Sequence, residues 1–261
     1  MKDRILSNIP TECPWRDTLY WYDSLPSTND LAKVMAKEGA PHGTVIIADT
    51  QTSGRGRLGR VFQSPAGSGV YLSLILRPQC PAKDLMHLTC AVGVAMVRAI
   101  ERAAGITPGL KWINDLVFHG KKLGGILTEL AVDPKTGIAD YAVVGIGINC
   151  RKADFTQGVE NLAISLEEAS GKETAPEVLA GHMIHSLWQT DLYDKAAVIA
   201  AYKALCVTLG KQVMVLQASG QYQAEALDID CDGGLLVRCP DGQLNCVSSG
   251  EVSVRGLWDY M

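Results

Sequence analysis

Gly54-Arg55-Gly56-Arg57-Leu58-Gly59-Arg60 sets three arginines and three glycines in seven positions, within a stretch from Thr50 to Lys83 that contains no Asp or Glu. Glycine lets a backbone approach a ligand closely, and arginine offers forked donors that match phosphate and carboxylate oxygens. The chemistry suggested is the grip of a polyanion. The segment lacks the G-K-[ST] ending of a P-loop, and its arginines fill places where a dinucleotide fingerprint packs backbone on pyrophosphate. The plain alternative is a solvated surface loop. An RGG-like nucleic-acid segment fits less well, because no aromatic residues interleave with the arginines.

A second constellation is Lys111-Trp112-Ile113-Asn114-Asp115, followed by Gly120-Lys121-Lys122-Leu123-Gly124-Gly125. If His119-Gly120 is a two-residue hairpin turn, Phe118 stands opposite Lys121 and Val117 opposite Lys122. Side chains alternate along a strand and opposed residues share a face, so Lys111, Asp115 and Lys122 are expected on one side. The alternative is an ordinary surface ion pair, worth little. Gly124-Gly125 here, and Gly145 and Gly147 in the strand beyond, suggest space kept for a ligand. His182 and His185 share a helix face but have no evident third ligand, and Ser68 in Gly67-Ser68-Gly69 is not a nucleophile elbow.

The elements that must position these residues can be read from periodicity. Tyr20–Leu25, Thr44–Ala48, Val70–Leu76, Leu123–Leu130 and Tyr141–Asn149 read as strands, with a further short strand over Lys111–Phe118. Ser27-Thr28-Asn29-Asp30 supplies caps for a helix carrying Leu31, Val34 and Met35 and stopped by Gly39. Asp84 to about Ala104 reads as a long buried helix, and Pro176–Leu209 as helical. From Lys211 five short alternating runs, parted by Asp232-Gly233 and Asp241-Gly242, suggest a small β-barrel. The fold class expected is α+β: a mixed sheet packed with helices over residues 1–209, then the barrel over 210–261.

Composition narrows the function classes. The chain has 261 residues, 47% hydrophobic and 20% charged, enough for a sizeable core. Its 24 Lys and Arg against 28 Asp and Glu give a net charge of -4, unlike a protein whose main task is gripping nucleic acid. The eight cysteines form no C-x-x-C pair, so they read as reduced thiols. No uncharged apolar run of membrane-spanning length and no secretory h-region is present, which leaves a cytoplasmic protein, without membrane or DNA as partner, as the expectation.

The sequence resembles the biotin protein ligases (biotin-[acetyl-CoA-carboxylase] ligases) over nearly its whole length. The resemblance is carried by Ser27-Thr28-Asn29, Gln51–Arg60 (QTSGRGRLGR), Lys111–Leu116 (KWINDL), the KLGGIL run ending at Leu127, Gly145–Asn149 (GIGIN) and Gly250–Arg255 (GEVSVR), in family order. It implies a catalytic domain related to class II aminoacyl-tRNA synthetases followed by an SH3-like barrel. It also implies two steps: biotin and MgATP give biotinyl-5′-AMP, and the biotinyl group then passes to a lysine of a biotin carboxyl carrier protein.

By the same resemblance, Ser27, Thr28 and Gln51 line the biotin head-group pocket with Asn29 at its border, and Phe62 packs on the biotin. Gly54, Arg55, Gly56 and Arg57 belong to a loop that closes over biotin and adenylate, and Gly124 and Gly125 leave biotin room. Lys122 is the central lysine, acting with Arg55, Arg57 and Asp115. Asp115 is assigned to Mg²⁺ or to orienting the incoming lysine. Arg57, Arg60, Lys111, Asn114, Asn149 and Arg255 face ATP, and Gly250 and Glu251 help bind ATP or carrier. Some relatives carry an N-terminal DNA-binding domain of roughly 50 or more residues, for which the residues before Ser27 are too few, so no DNA-linked regulation is expected. A homodimer is left open. The competing readings are a lipoate protein ligase, sharing the catalytic fold, and a non-catalytic module that binds the carrier.

Overall fold

The computed structural model describes residues 1–152, 162–217, 220–248 and 253–256, the last four as strand backbone. Seven strands form the main sheet: β1 (Leu19–Leu25), β2 (Thr44–Gln51), β3 (Gly69–Leu76), β4 (Gly109–Lys111), β5 (Asp115–Phe118), β6 (Lys121–Val132) and β7 (Ala139–Asn149). Their order is β1-β2-β3-β7-β6-β5-β4. Only β1 and β2 run parallel, and the crossover such a pair requires is made by helix α2 (Thr28–Lys37), which follows a short N-terminal helix α1 (Lys2–Leu6). The sheet is therefore mixed, as expected.

Alternation along the strands divides the sheet into two faces. Val45, Ile47, Leu72, Leu74, Val144, Ile146 and Ile148 point into the main core, where helix α3 (Leu88–Ala104) and helix α5 (Pro176–Gln189) lie. Twelve of the seventeen residues of α3 are buried, so it is apolar nearly all round, and it ends at Gly105 with φ 71°, a left-handed cap that glycine adopts without steric cost. The opposite face carries Ile46, Ile75, Tyr141 and Val143, covered by Ala32 and Ala36 of α2. The helix covers only part of that face. The rest, from Gly145 toward Asn149 and across to β5, is where the site forms.

Helix α2 buries Thr28, Asn29, Ala32 and Ala36, whereas Val34 is 51% exposed. Of the expected stripe, Leu31 and Met35 pack against this core while Val34 turns to solvent, and the small and polar residues between them face the sheet because the helix lies close over β7. The helix expected from Asp84 begins at Leu88, preceded by a 3₁₀ turn over Ala82–Leu85. The segment expected to be helical from Pro176 onward is two helices, α5 and α6 (Lys195–Leu205), with the Asp194 side chain capping α6 at Ala197 N. A short helix α4 (Leu166–Ser170), opened by a Ser165/Glu168 capping box, was not anticipated.

All five expected C-terminal strands form: β8 (Gln212–Gln217), β9 (Gly220–Ile229), β10 (Leu235–Arg238), β11 (Leu244–Val247) and β12 (Ser253–Gly256), in the order β11-β10-β9-β8-β12. Among the described residues they make one antiparallel sheet, the strand set of the small barrel expected, with β11 and β12 at its ends and no pairing between those two that closes it. Its inward residues Val213, Val215, Ala224, Ala226, Leu235 and Val237 join the main core, so the apolar interior runs from one sheet into the other.

Candidate active site

Ser27 begins the site. It caps α2, its Oγ accepting from Asp30 N at 3.4 Å, and like Thr28 and Asn29 it is almost wholly buried. Buried polar groups must find partners. Gln51 Oε1 accepts from Thr28 N at 2.9 Å and Thr28 Oγ1 at 3.1 Å, while Gln51 Nε2 donates to Ser64 Oγ at 2.9 Å. Ser73 Oγ lies 2.8 Å from Thr28 Oγ1 and donates to Asn29 Oδ1 at 2.6 Å. A polar floor, fixed in orientation, thus stands at the N-terminus of α2.

Strand β7 lays out the rest in steps of two residues. A Cβ on Gly145 would meet Asn29 Oδ1 at 2.2 Å, and one on Gly147 would meet the Phe62 ring at 2.5 Å. These glycines therefore admit protein side chains, Asn29 and Phe62, and do not simply keep room for a ligand as the sequence suggested. Asn149, the next on that face, donates through Nδ2 to Ile164 O at 3.2 Å.

The hairpin after β5 turns at His119 (φ 46°) and Gly120 (φ 77°), pairing Phe118 with Lys121 and Val117 with Lys122 as expected. A bulge then intervenes, and Asp115 pairs with Gly125 instead of Gly124. The extra residue sends Leu123 into the core and leaves Lys122 and Gly125 on the cavity side. Gly124 serves packing, since a Cβ there would come within 2.6 Å of Gly147 O. The single strand expected over Lys111–Phe118 is itself a hairpin, with Trp112–Asn114 as its turn and Lys111 paired to Asp115. Lys111 and Asp115 share a face because they are opposed, not because they alternate along one strand.

The glycine–arginine segment is a narrow hairpin. Phe62 N donates to Gly54 O at 3.0 Å, Gly56 N to Arg60 O at 2.7 Å, and the tip turns through Leu58 (φ 55°) and Gly59 (φ 72°). A Cβ on Gly54 would lie 2.3 Å from Phe62 O, so Gly54 closes this ladder and does not line the cavity.

These pieces enclose a cavity of about 650 Å³, lined by Ser27, Thr28, Asn29 and Gln51 together with Arg55, Gly56, Arg57, Arg60, Phe62, Lys111, Asn114, Asp115, Lys122, Gly125 and Asn149. Lys122 Nζ is 2.6 Å from Asp115 Oδ1 and 6.0 Å from the centre of the Phe62 ring. Arg57 Nη1 donates to Asn114 Oδ1 at 3.3 Å, and Asn114 is pinned by its own bond from Nδ2 to Ile126 O at 3.0 Å. Burial pushes the Arg57 guanidinium below its ordinary value, against the pull of Asp115 and helped by neighbouring Arg60, yet an arginine stays charged at neutral pH. Cations and a hydrogen-bonding floor thus face one space. Arg255 stands opposite Met214 in β12, and Gly250 and Glu251 lie outside the described residues.

Sequence reasoning missed Trp112, Leu127 and Gln63 in the cavity wall. Leu127 could have been found by stepping two residues from Gly125. Trp112 carried no such signal, because only the fold turns it inward.

A family model described as the Biotin/lipoate A/B protein ligase family matches residues 21–149, and the Biotin protein ligase C terminal domain matches residues 208–255. The chain is 34% identical over 230 residues to the bifunctional ligase/repressor BirA of Bacillus subtilis, covering 86% of this chain and 70% of that protein. It is 32% identical over 235 residues to the biotin--[acetyl-CoA-carboxylase] ligase of Mycobacterium tuberculosis, covering 87% of this chain and 85% of that one. Among solved structures, biotin protein ligase from Aquifex aeolicus in complex with biotin and ATP is similar at a TM-score of 0.77 and 28% identity, over 92% of this chain and 99% of that one. With cations and a polar floor meeting in one cavity, and with relatives at this identity along most of its length, the chain belongs to the biotin protein ligases of the biotin/lipoate ligase family.

Proposed function

We propose that the cavity activates biotin with ATP and hands the biotinyl group to a carrier-protein lysine, with the following division of labour. The fixed donors and acceptors of Ser27, Thr28 and Gln51 suit the ureido head group, which presents two N–H donors and a carbonyl acceptor. Phe62 packs on the apolar sulfur-containing ring, and Gly56 and Gly125 let backbone approach the ligand. Lys122 and Arg57, which line the same cavity, are assigned to the biotin carboxylate and the α-phosphate that must meet there. Two anions repel, so their approach to bonding distance calls for preorganised cations. A carboxylate oxygen attacks the α-phosphorus and the bond to pyrophosphate breaks. The lysine amine of the carrier then attacks the acyl carbon, and AMP leaves.

Arg55 and Arg57 belong to the hairpin that shields the mixed anhydride from water. Lys111, Arg60, Asn114 and Asn149 face the nucleotide, with Arg255 from the second sheet assigned beside them. Asp115 is the single carboxylate among the cavity residues described, and among the described residues no three His, Cys, Asp or Glu converge. One carboxylate fits Mg²⁺ arriving on the triphosphate, which keeps water and phosphate oxygens as most of its ligands. When bound, that ion neutralises phosphate charge. After adenylation Asp115 is assigned to orient the incoming amine.

The carrier is a biotin carboxyl carrier domain of the kind an acetyl-CoA carboxylase uses. A catalytic unit ending near residue 209 is supported by the change from one sheet to the other, and a reducing cytoplasm by eight cysteines that are all free thiols. The observation that carries the reading is that Lys122, Arg55 and Arg57 share one cavity with the Thr28–Gln51 floor. Pyrophosphate exchange into ATP tests it: exchange should depend on biotin and be absent with lipoate. Exchange indifferent to biotin would remove the proposal.

A further inference from the structure

Asp30 is not a cavity residue, yet it joins the floor to the hairpin. Asn29, held by Ser73, donates through Nδ2 to Glu129 Oε2 at 2.8 Å. The other Glu129 oxygen, Oε1, receives Lys33 Nζ at 2.9 Å, and Lys33 is also 3.0 Å from Asp30 Oδ1. Asp30 Oδ2 in turn receives Arg55 Nη2 at 2.9 Å. Each carboxylate oxygen has its own partner, and two anions balance two cations. Although burial works against its charge, Lys33 is held above its ordinary value by its hydrogen bonds to Glu129 and Asp30. A continuous polar chain therefore runs from Gln51 through Thr28, Ser73, Asn29, Glu129, Lys33 and Asp30 to Arg55.

We propose that Asp30 is a positioning residue which ties Arg55, and with it the glycine–arginine hairpin, to the head-group floor, so that its charge sets how long biotinyl-5′-AMP stays enclosed. This rests on the adenylation reading above. The Arg55 side chain is 55% exposed, so the Asp30–Arg55 pair is screened by salt and modest in strength. A latch of that strength suits a segment that must hold an intermediate and then release it. The Asp30–Arg55 pair joins different elements, whereas the contact of Asp30 with Lys33 and its place in the first turn act within α2.

The test is the rate at which preformed biotinyl-5′-AMP leaves the enzyme, at low ionic strength and at about 1 M salt, where the Debye length is about 3 Å. At low salt Asp30→Asn should release adenylate about two- to fivefold faster than the unaltered protein, matching the strength of an exposed ion pair. Asp30→Glu, which keeps the charge, should behave as the unaltered protein. The gap should close at 1 M salt, and release from the unaltered protein should itself quicken with salt, a measurement that needs no variant. Equal release rates at low salt, or a gap that salt leaves untouched, would overturn the latch. Failure of the unaltered protein to form adenylate would instead overturn the adenylation reading.

Discussion

Lys122 is the residue on which the charge of the site turns. Its ammonium is 2.6 Å from Asp115, and the pair is largely enclosed, so the local field is stronger than between surface charges. Asp115 holds the lysine at the hairpin mouth, and an arriving phosphate must compete for it. Replacing Lys122 with Ala removes the cation and leaves the carboxylate facing the incoming anions. Biotin-dependent pyrophosphate exchange should fall by about 100-fold or more, the scale seen when a preorganised transition-state donor is lost. Retained exchange would show that Lys122 is not at the reacting centre. Arg57 differs because it belongs to the covering hairpin. Arg57→Ala should raise the free adenylate in solution, or slow its formation, read by separating free from bound biotinyl-5′-AMP. An unchanged rate with no leakage would count against the assignment of this hairpin.

At the scale of elements, β7 acts as a ruler. Its alternate residues Gly145, Gly147 and Asn149 receive Asn29 from α2, Phe62 from the arginine hairpin, and the segment at Ile164, so three separate parts of the chain are indexed to one strand. The prediction at this scale is Gly147→Ala. Its Cβ would come within 2.5 Å of the Phe62 ring, which must shift away from its present position. Biotin affinity by calorimetry should weaken by up to about tenfold, the worth of a well-placed aromatic contact, while the melting temperature changes little. Unchanged affinity would mean that Phe62 does not pack on the ligand. The bulge in β6 acts in the same way: one additional residue decides that Gly125, and not Gly124, shares the cavity face with Lys122.

For the whole molecule, acid should be destabilising from near neutrality. His42, His87, His182 and His185 all have their pKa lowered from the ordinary 6.5, in each case first by burial, with the Arg102 charge adding to the effect at His182 and His185. The unfolded chain takes up protons at these positions before the folded one does, so stability is full above about 6.5 and falls as pH drops toward the folded values. Asp228, held low by its hydrogen bond from Lys203, adds a further loss below its ordinary 3.8. The urea midpoint should therefore decline between pH 7.5 and 5. A flat profile across that range would show that these imidazoles titrate as they do in the open chain.

Local chemistry was legible from the residues themselves. Ser27 as a cap, the His119-Gly120 turn with its pairing of Lys122 to Val117, and the β-branched apolar runs of β2, β3 and β7 depend on neighbours within a few positions, where backbone sterics and hydrogen-bond capacity decide the outcome. What Gly145 and Gly147 are for and which way α2 turns its small residues depend on groups brought close from many tens of residues away. Only close packing in the folded chain selects among such options, because the clash or contact that decides them does not exist until both partners are in place. The same holds for the meeting of Arg55 and Asp30: each is an ordinary charged residue in the chain, and their relation is a property of the assembled sheet alone.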